Sequence, residues 1–261
     1  MGIEKAKEGN AMRATDTRGY LAIAVKTARS AGDYLLKNKT AFQTVDVDSA
    51  HDLKLRADRL SEKRIVDHLR KHTPFSILSE ESGMLKGSED GFWWVVDPLD
   101  GTINYFHQIP LSCVSIALCY QQRPVLGVIY DFGRKELFTG VVGQGAWLNG
   151  RKIRVSRRKY KRQAVLATGF PSQNALSVDD IDTFVRNLNT YRKVRLLGSA
   201  ALSMAYVAAG RMDSYYEKDI MFWDVAAGVA LIKAAGGKII LSSTGREYCY
   251  QISAHNGKLR G

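Results

Sequence analysis

The sequence predicts a mixed αβ protein in which helices pack on sheets, folded as one large unit or as two tightly packed halves. Three observations predict it. The chain has 261 residues, more than most single domains but within reach of one large unit. Both helical periodicity and short apolar runs occur in the first half. In the second half the two kinds of segment alternate, the pattern of helices laid on sheets. Hydrophobic residues at 45% and charged residues at 25% are ordinary for a globular protein and exclude disordered and fibrous classes.

Along the chain, apolar residues recur at helical spacing from Arg18 to Leu36, through Leu21, Val25, Ala28, Tyr34 and Leu35. A second helix is expected over Ala57–Lys71, with Leu60, Ile65 and Leu69 on one face. Phe75–Leu78 and Phe92–Val96 are short apolar runs, and the second ends directly in Asp97. Cys113–Tyr120 and Val125–Tyr130 are β-rich and separated by a polar turn, so they read as a hairpin or neighbouring strands, followed by Glu136–Gly140. Gly143–Gly150 reads as a glycine-punctuated turn. Then come a helix at Val178–Leu188, a strand at Lys193–Leu197, a helix at Ser199–Ala209, a strand near Ser214–Glu217, a helix at Asp224–Ala235 and a strand at Lys238–Leu241. A soft boundary is expected near 140–165. No repeat or low-complexity linker is present.

No apolar run approaches the roughly 18 residues of a membrane span. Met1–Asp16 lacks the apolar stretch of a signal peptide, and Ala6 breaks the myristoylation pattern that Gly2 could begin. Cys113, Cys119 and Cys249 fit no zinc spacing; buried free thiols in a reducing cytoplasm are expected. The net charge of +12 is concentrated. Arg151–Arg162 carries eight basic residues and no acid, and without it the charge is +4. This segment reads either as a solvated, self-repelling surface loop or as a contact for polyanions, nucleic acid included, or for phosphorylated substrates.

Four stretches place carboxylates at the ends of apolar runs. Glu80-Glu81 follows the first run, and adjacent acids there point to opposite sides, so one faces any site beyond that edge. Asp97-Pro98-Leu99-Asp100-Gly101-Thr102 follows the second. Pro98 fixes φ there, Gly101 permits positive φ, and Asp97 and Asp100 can share one centre. Hard oxygen ligands on a tight turn suit Mg²⁺, with Gly101 and Thr102 offering N–H groups to an anion; Asp100-Gly101 is equally compatible with a plain turn. Trp223-Asp224 opens a helical run, where Asp224 serves as N-cap, metal ligand or both. Asp52–Asp58 stands at the head of the second helix, where an acid also complements the helix dipole.

Taken together, Glu80-Glu81, Asp97–Thr102 and Trp223-Asp224 resemble the signatures of the inositol monophosphatase family in order and spacing, and Gly145–Gly150, Tyr215–Glu217 and Ala234–Gly237 fit them too. The resemblance runs from about residue 18 to 241. It implies a layered αβαβα sandwich of the inositol monophosphatase type, a single domain over 1–261. A metal-binding half would cover about 1–150 and a substrate-contacting half about 151–261. It implies a cytoplasmic homodimer that hydrolyses a small phosphomonoester, inositol-1-phosphate or a related sugar phosphate, with two or three Mg²⁺ ions. Glu80, Asp97 and the Leu99 carbonyl would hold one ion; Asp97, Asp100 and Asp224 a second; a third would sit near Glu80. Thr102, helped by Asp58 and Glu80, would orient and deprotonate the attacking water. Gly198-Ser199-Ala200, Glu217 and Asp224 would bind substrate hydroxyls; Asp100, Gly101 and Thr102 would contact the phosphate end. On residue type alone, Glu217 reads as a solvent-facing charge. Two positions depart from the family pattern, Leu55 three residues before Asp58 and Ile103 after Thr102. Fructose 1,6-bisphosphate, a nucleotide bisphosphate and histidinol phosphate are the alternative substrates on the same fold. A nucleic-acid-binding protein working through 151–162 is the alternative of another class.

Overall fold

The computed structural model describes residues 14–42, 45–48, 53–170 and 176–260; the leader reading over residues 1–13 and Asp52 lie outside them. The chain runs through α1 (Ala14–Lys37), β1 (Val45–Asp48), β2 (Leu53–Leu55), α2 (Arg56–His72), β3 (Phe75–Ser79), β4 (Gly83–Leu85), β5 (Ser88–Asp100), α3 (Thr102–Phe106), β6 (Cys113–Tyr120), β7 (Arg123–Asp131) and β8 (Glu136–Val141). It continues through β9 (Gly145–Leu148), β10 (Arg151–Ile153), β11 (Val165–Thr168), α4 (Val178–Thr190), β12 (Lys193–Arg195), α5 (Ala200–Ala208), β13 (Ser214–Met221), α6 (Phe222–Ala234), β14 (Lys238–Ser243) and β15 (Cys249–His255).

Two large sheets organise these elements. The first has strand order β10-β9-β8-β7-β6-β5-β3-β4 and is antiparallel except where β3 runs parallel to β5. The second has order β12-β11-β13-β15-β14, with β11 parallel to both its neighbours. Side-chain alternation along a strand buries both faces of the first sheet. Ile77, Trp94 and Val96 face α1 and α2, packing with Ala24, Ala28, Leu35, Ile65 and Leu69. Leu78, Val95 and Ala117 face the other way, into a core shared with α5, α6 and the inner face of the second sheet. Helices sandwiched between two sheets must be apolar all round, and α5 and α6 are: Val225–Ile232 is buried without interruption. With α4 against β12 beyond the second sheet, the layers run αβαβα, as the resemblance implied.

The long periodic segments stand where the sequence put them, and the differences are local. Gly143–Gly150 is more than a turn, because β9 lies within it and buries Ala146 between β8 and β10. The basic segment opens as β10, with Ile153 and Val155 packed on the core, so it is not a free loop. Sequence reading missed β1, β2, β4, α3, β11 and β15. β15 is a central strand, burying Cys249, Ile252 and Ala254. All three cysteines are free and buried, as expected. No described helix is long and apolar enough to cross a membrane.

Candidate active site

The site forms where β5 ends and three helices begin. β5 carries Asp97 and Asp100 past its regular pairing with β6, which slips between those two residues. The chain then turns at Gly101, whose φ of 86° and ψ of 43° lie in the left-handed region. A Cβ at this position would lie 2.6 Å from the Leu111 carbonyl oxygen. Only glycine meets both demands, and its turn brings Thr102 to the first position of α3. Thr102 Oγ1 lies 3.0 Å from both Asp58 Oδ1 and the Leu99 carbonyl, so its single proton is shared between them. Asp58 reaches the site from the first turn of α2 and is buried.

The remaining acids arrive from separate elements. Glu80 lies on the turn after β3, and its N–H donates to the Val96 carbonyl at 3.3 Å. Asp224 is not the N-cap of α6. Met221 is, and Asp224 sits three residues in, reaching back to accept from the Met221 N–H at 3.2 Å. The helix starts two residues early because Phe222 is drawn into the core, 3% exposed. Glu217 is likewise not a solvent-facing charge. It follows Tyr215 by two residues on β13 and shares its inward face, where the Tyr215 hydroxyl donates to it at 2.5 Å. A Cβ on Gly169 would lie 2.3 Å from Glu217 Oε2, so glycine there is what lets the carboxylate fit.

Asp100 is held by the start of α5. It accepts from the Ala201 N–H at 2.9 Å, the Ala200 N–H at 3.3 Å, the Cys113 thiol at 3.4 Å and the Ser199 hydroxyl. In this arrangement the Ala200 amide serves Asp100. Burial pushes the carboxyl pKa of Asp100 up, while these donors pull it down. Asp97 has one such donor, the Leu99 N–H at 3.0 Å. Burial raises its pKa well above the usual range, and Glu80, Asp100 and Asp224 add to the shift. Asp224 is raised by burial and then by Glu80, Asp100 and Glu217. Glu217 reaches about 8, chiefly by burial. Beside these acids opens a cavity of about 380 Å³, lined by Asp100, Gly101, Thr102, Gly198, Ser199, Ala200, Glu217 and Asp224 among others. Glu80, Asp97, Leu99 and Asp58 stand outside its lining.

The inositol monophosphatase family model matches residues 16–258. The chain belongs to the inositol monophosphatase family. Among curated relatives it is 41% identical over 231 residues to the Nus factor SuhB of Pseudomonas aeruginosa, covering 84% of each chain. Among solved structures it is similar to the extragenic suppressor protein suhB of Bartonella henselae, with 36% identity, a TM-score of 0.82, and coverage of 91% of this chain and 93% of that one. It is also similar to the inositol monophosphatase of Anabaena, with 38% identity, a TM-score of 0.79, and 93% and 92% coverage. Proteins of this family are in general magnesium-dependent phosphatases.

The donors of this family member fit such an ion. They are hard oxygens, and among the described residues no ion pair involves Asp97, Asp100, Asp224 or Glu217. Buried like charges without a counter-cation repel one another and hold protons, the condition a divalent cation relieves. Among the described residues no three acidic, His or Cys side chains stand close enough together to hold a metal ion between them.

Two supporting residues escaped the sequence reading. Asn104 Nδ2 reaches the carbonyls of Leu111 and Leu197 at 2.8 Å and of Gly198 at 3.1 Å, fixing the Asp97–Thr102 turn against the loop before α5. Glu62, buried on α2, accepts from the N–H of Ser82 at 3.1 Å and its hydroxyl at 2.7 Å, which pins the turn that carries Glu80. Its signal was available: Glu62 lies four residues after Asp58, on the same helix face.

Proposed function

We propose that this protein hydrolyses a small phosphomonoester, inositol-1-phosphate or a related sugar phosphate, in a magnesium-dependent reaction. The observation that carries the reading is that Glu80, Asp100 and Asp224 all act on the buried Asp97 carboxylate, beside a cavity that Asp100, Asp224, Glu217 and the Gly198–Ala200 turn line. Glu80, Asp97 and the Leu99 carbonyl would hold one Mg²⁺, and Asp97, Asp100 and Asp224 a second, with room for a third near Glu80. Bound magnesium supplies charge neutralisation of the phosphate and acidifies water.

The chain's own residues do the rest. Thr102 Oγ1, by passing its proton toward Asp58 Oδ1, becomes the acceptor for a proton of the attacking water. Glu80 helps aim that water. The N–H groups of Gly101 and Thr102 meet phosphate oxygens. Glu217, carrying a proton up to about pH 8, can donate to a substrate hydroxyl as well as accept from one. The first half of the chain supplies most metal donors and the second half most substrate contacts, and they act as one domain. Asp97→Asn tests the assignment: phosphate release from inositol-1-phosphate should vanish while the circular dichroism spectrum and melting cooperativity persist. Near-wild-type turnover in that variant would refute it.

The protein is proposed to work in the cytoplasm as a homodimer. The surface that supports a dimer is α4, none of whose residues is buried. Val178, Ile181, Val185 and Leu188 are 82%, 50%, 47% and 49% exposed along it. Ile181→Glu with Val185→Glu should yield a monomer in sedimentation velocity.

A second reading is favoured by the relatives named Nus factor SuhB and by the basic 151–162 segment: a non-catalytic role in which this surface meets a polyanion. It requires no loss of the phosphatase.

A further inference from the structure

The basic segment has no part in the proposed chemistry, and the fold holds it in place. Val155 N–H donates to the Ala235 carbonyl at 3.3 Å, and Arg260 N–H donates to the Lys159 carbonyl at 2.8 Å. Ser156 Oγ donates to buried Asp213 at 2.5 Å. Asn256 Nδ2 donates to Ser156 Oγ at 2.8 Å and to the Arg158 carbonyl at 2.9 Å. Between this segment, the C-terminal end of α6 and the turn at Asn256 lies a cleft of about 470 Å³. Lys152, Arg154, Arg157, Lys233 and Lys258 line it; no acidic and no aromatic side chain does. All five are exposed, and among the described residues none of the five is in an ion pair. Arg158, by contrast, pairs with Asp213 at 3.2 Å.

We propose that this cleft binds a linear oligophosphate, the chain of linked phosphates found free or at the end of a nucleotide. Five cations gathered around a concavity repel one another, and an anion bearing several charges close together relieves that repulsion at several points at once. The backbone that carries the segment is already held, so the ordering on binding is confined to the five side chains. The volume suits a small ligand rather than a long track. The absence of aromatic side chains argues against a single-stranded nucleic acid, whose bases are held by stacking. The cleft is separate from the carboxylate site: Asp224 and Lys233 lie nine residues apart on α6, about 14 Å along its axis. The inference deepens the polyanion reading and is independent of the phosphatase one.

The test is isothermal titration of the full chain in EDTA, which removes any metal-mediated phosphate binding by the carboxylates. The probes are inorganic tripolyphosphate, ATP and a single-stranded RNA dodecamer. The variant is Arg157→Ala with Lys233→Ala, which spares the Arg158–Asp213 pair. Tripolyphosphate should bind in a salt-sensitive way, at least tenfold more weakly to the variant, with phosphomonoester turnover in Mg²⁺ within twofold of wild type. ATP binding as tightly as tripolyphosphate identifies the phosphate chain alone as the recognised element, and tighter ATP binding identifies a nucleotide. Tripolyphosphate binding that the variant leaves unchanged overturns the cleft assignment. RNA binding lost in the variant, with none to tripolyphosphate, overturns the oligophosphate proposal and leaves the polyanion reading standing. Binding of none of the three overturns both.

Discussion

Glu217 shows how a single residue's environment sets its chemistry. A glutamate at a strand end reads as a solvent-facing charge, yet register on β13 turns it inward beside Tyr215, and burial raises its pKa from 4.5 to about 8. For an acid whose folded pKa lies above its unfolded value, folding favours the protonated form. Stability is therefore full below about pH 4.5 and falls as pH rises toward 8. Glu217→Gln keeps an acceptor for the Tyr215 hydroxyl and removes the ionisation. Urea denaturation of the metal-free protein should show it more stable than wild type at pH 8.5, by up to about 5 kcal/mol for the full shift, and nearly equal to it at pH 4.5. A pH-independent difference would contradict the burial argument. Thr102 bears on the rate instead. Thr102→Ala should lower kcat about 100-fold with little change in KM, and Thr102→Ser should recover most of the loss, as steady-state phosphate release would report. Glu80, Asp97 and Asp224 stood out in the sequence because each follows an apolar run, whereas Glu217 did not. Nor did their partners, since Asn104 and Glu62 act through carbonyls and amides that only the folded chain brings near.

Among the elements, those with a long repeat of burial were legible. α1 and α2 each bury a periodic face, and β6 and β7 are nearly continuous apolar runs buried on both sides, so each carries its signal in the local sequence. α3 was not, because five residues carry no period; the helix exists because Gly101 turns the chain into it. β15 was missed because half its residues face outward and its apolar set is short, although pairing on both edges makes it central. The cap reading offered for Asp224 placed the helix start two residues late, because the sequence does not announce that Phe222 will be buried within the first turn. The same logic gives a test of the Gly101 turn. Gly101→Ala adds both left-handed strain and a 2.6 Å contact with the Leu111 carbonyl, and should cost about 3 kcal/mol in chemical denaturation. A change within error of zero would mean that the turn can relax without moving the site.

For the whole molecule, the layered arrangement explains why the acids are apart in sequence and together in space. Two sheets with α5 and α6 between them bring the end of β5 and the starts of α5 and α6 to one edge of the shared core. The cost of gathering like charges there is borne by that large core, and a bound cation lowers it. Mg²⁺ should accordingly raise the melting temperature, more at pH 8 than at pH 5, because protons and metal compete for the same carboxylates. An equal shift at both pH values would show that the ion binds elsewhere. The layering and the carboxylate motifs were readable together because both belong to one family pattern, which matches residues 16–258. The basic cleft was not, because Lys233 and Lys258 join the 151–162 segment only in the fold.

The most direct test is phosphate release by the purified protein from a panel of inositol, sugar and nucleotide phosphates, run in Mg²⁺ and again in EDTA. Release in Mg²⁺ that EDTA abolishes, concentrated on an inositol or sugar monophosphate, is the predicted result. Release that persists in EDTA, or none from any substrate by folded protein with Mg²⁺ bound, would contradict it.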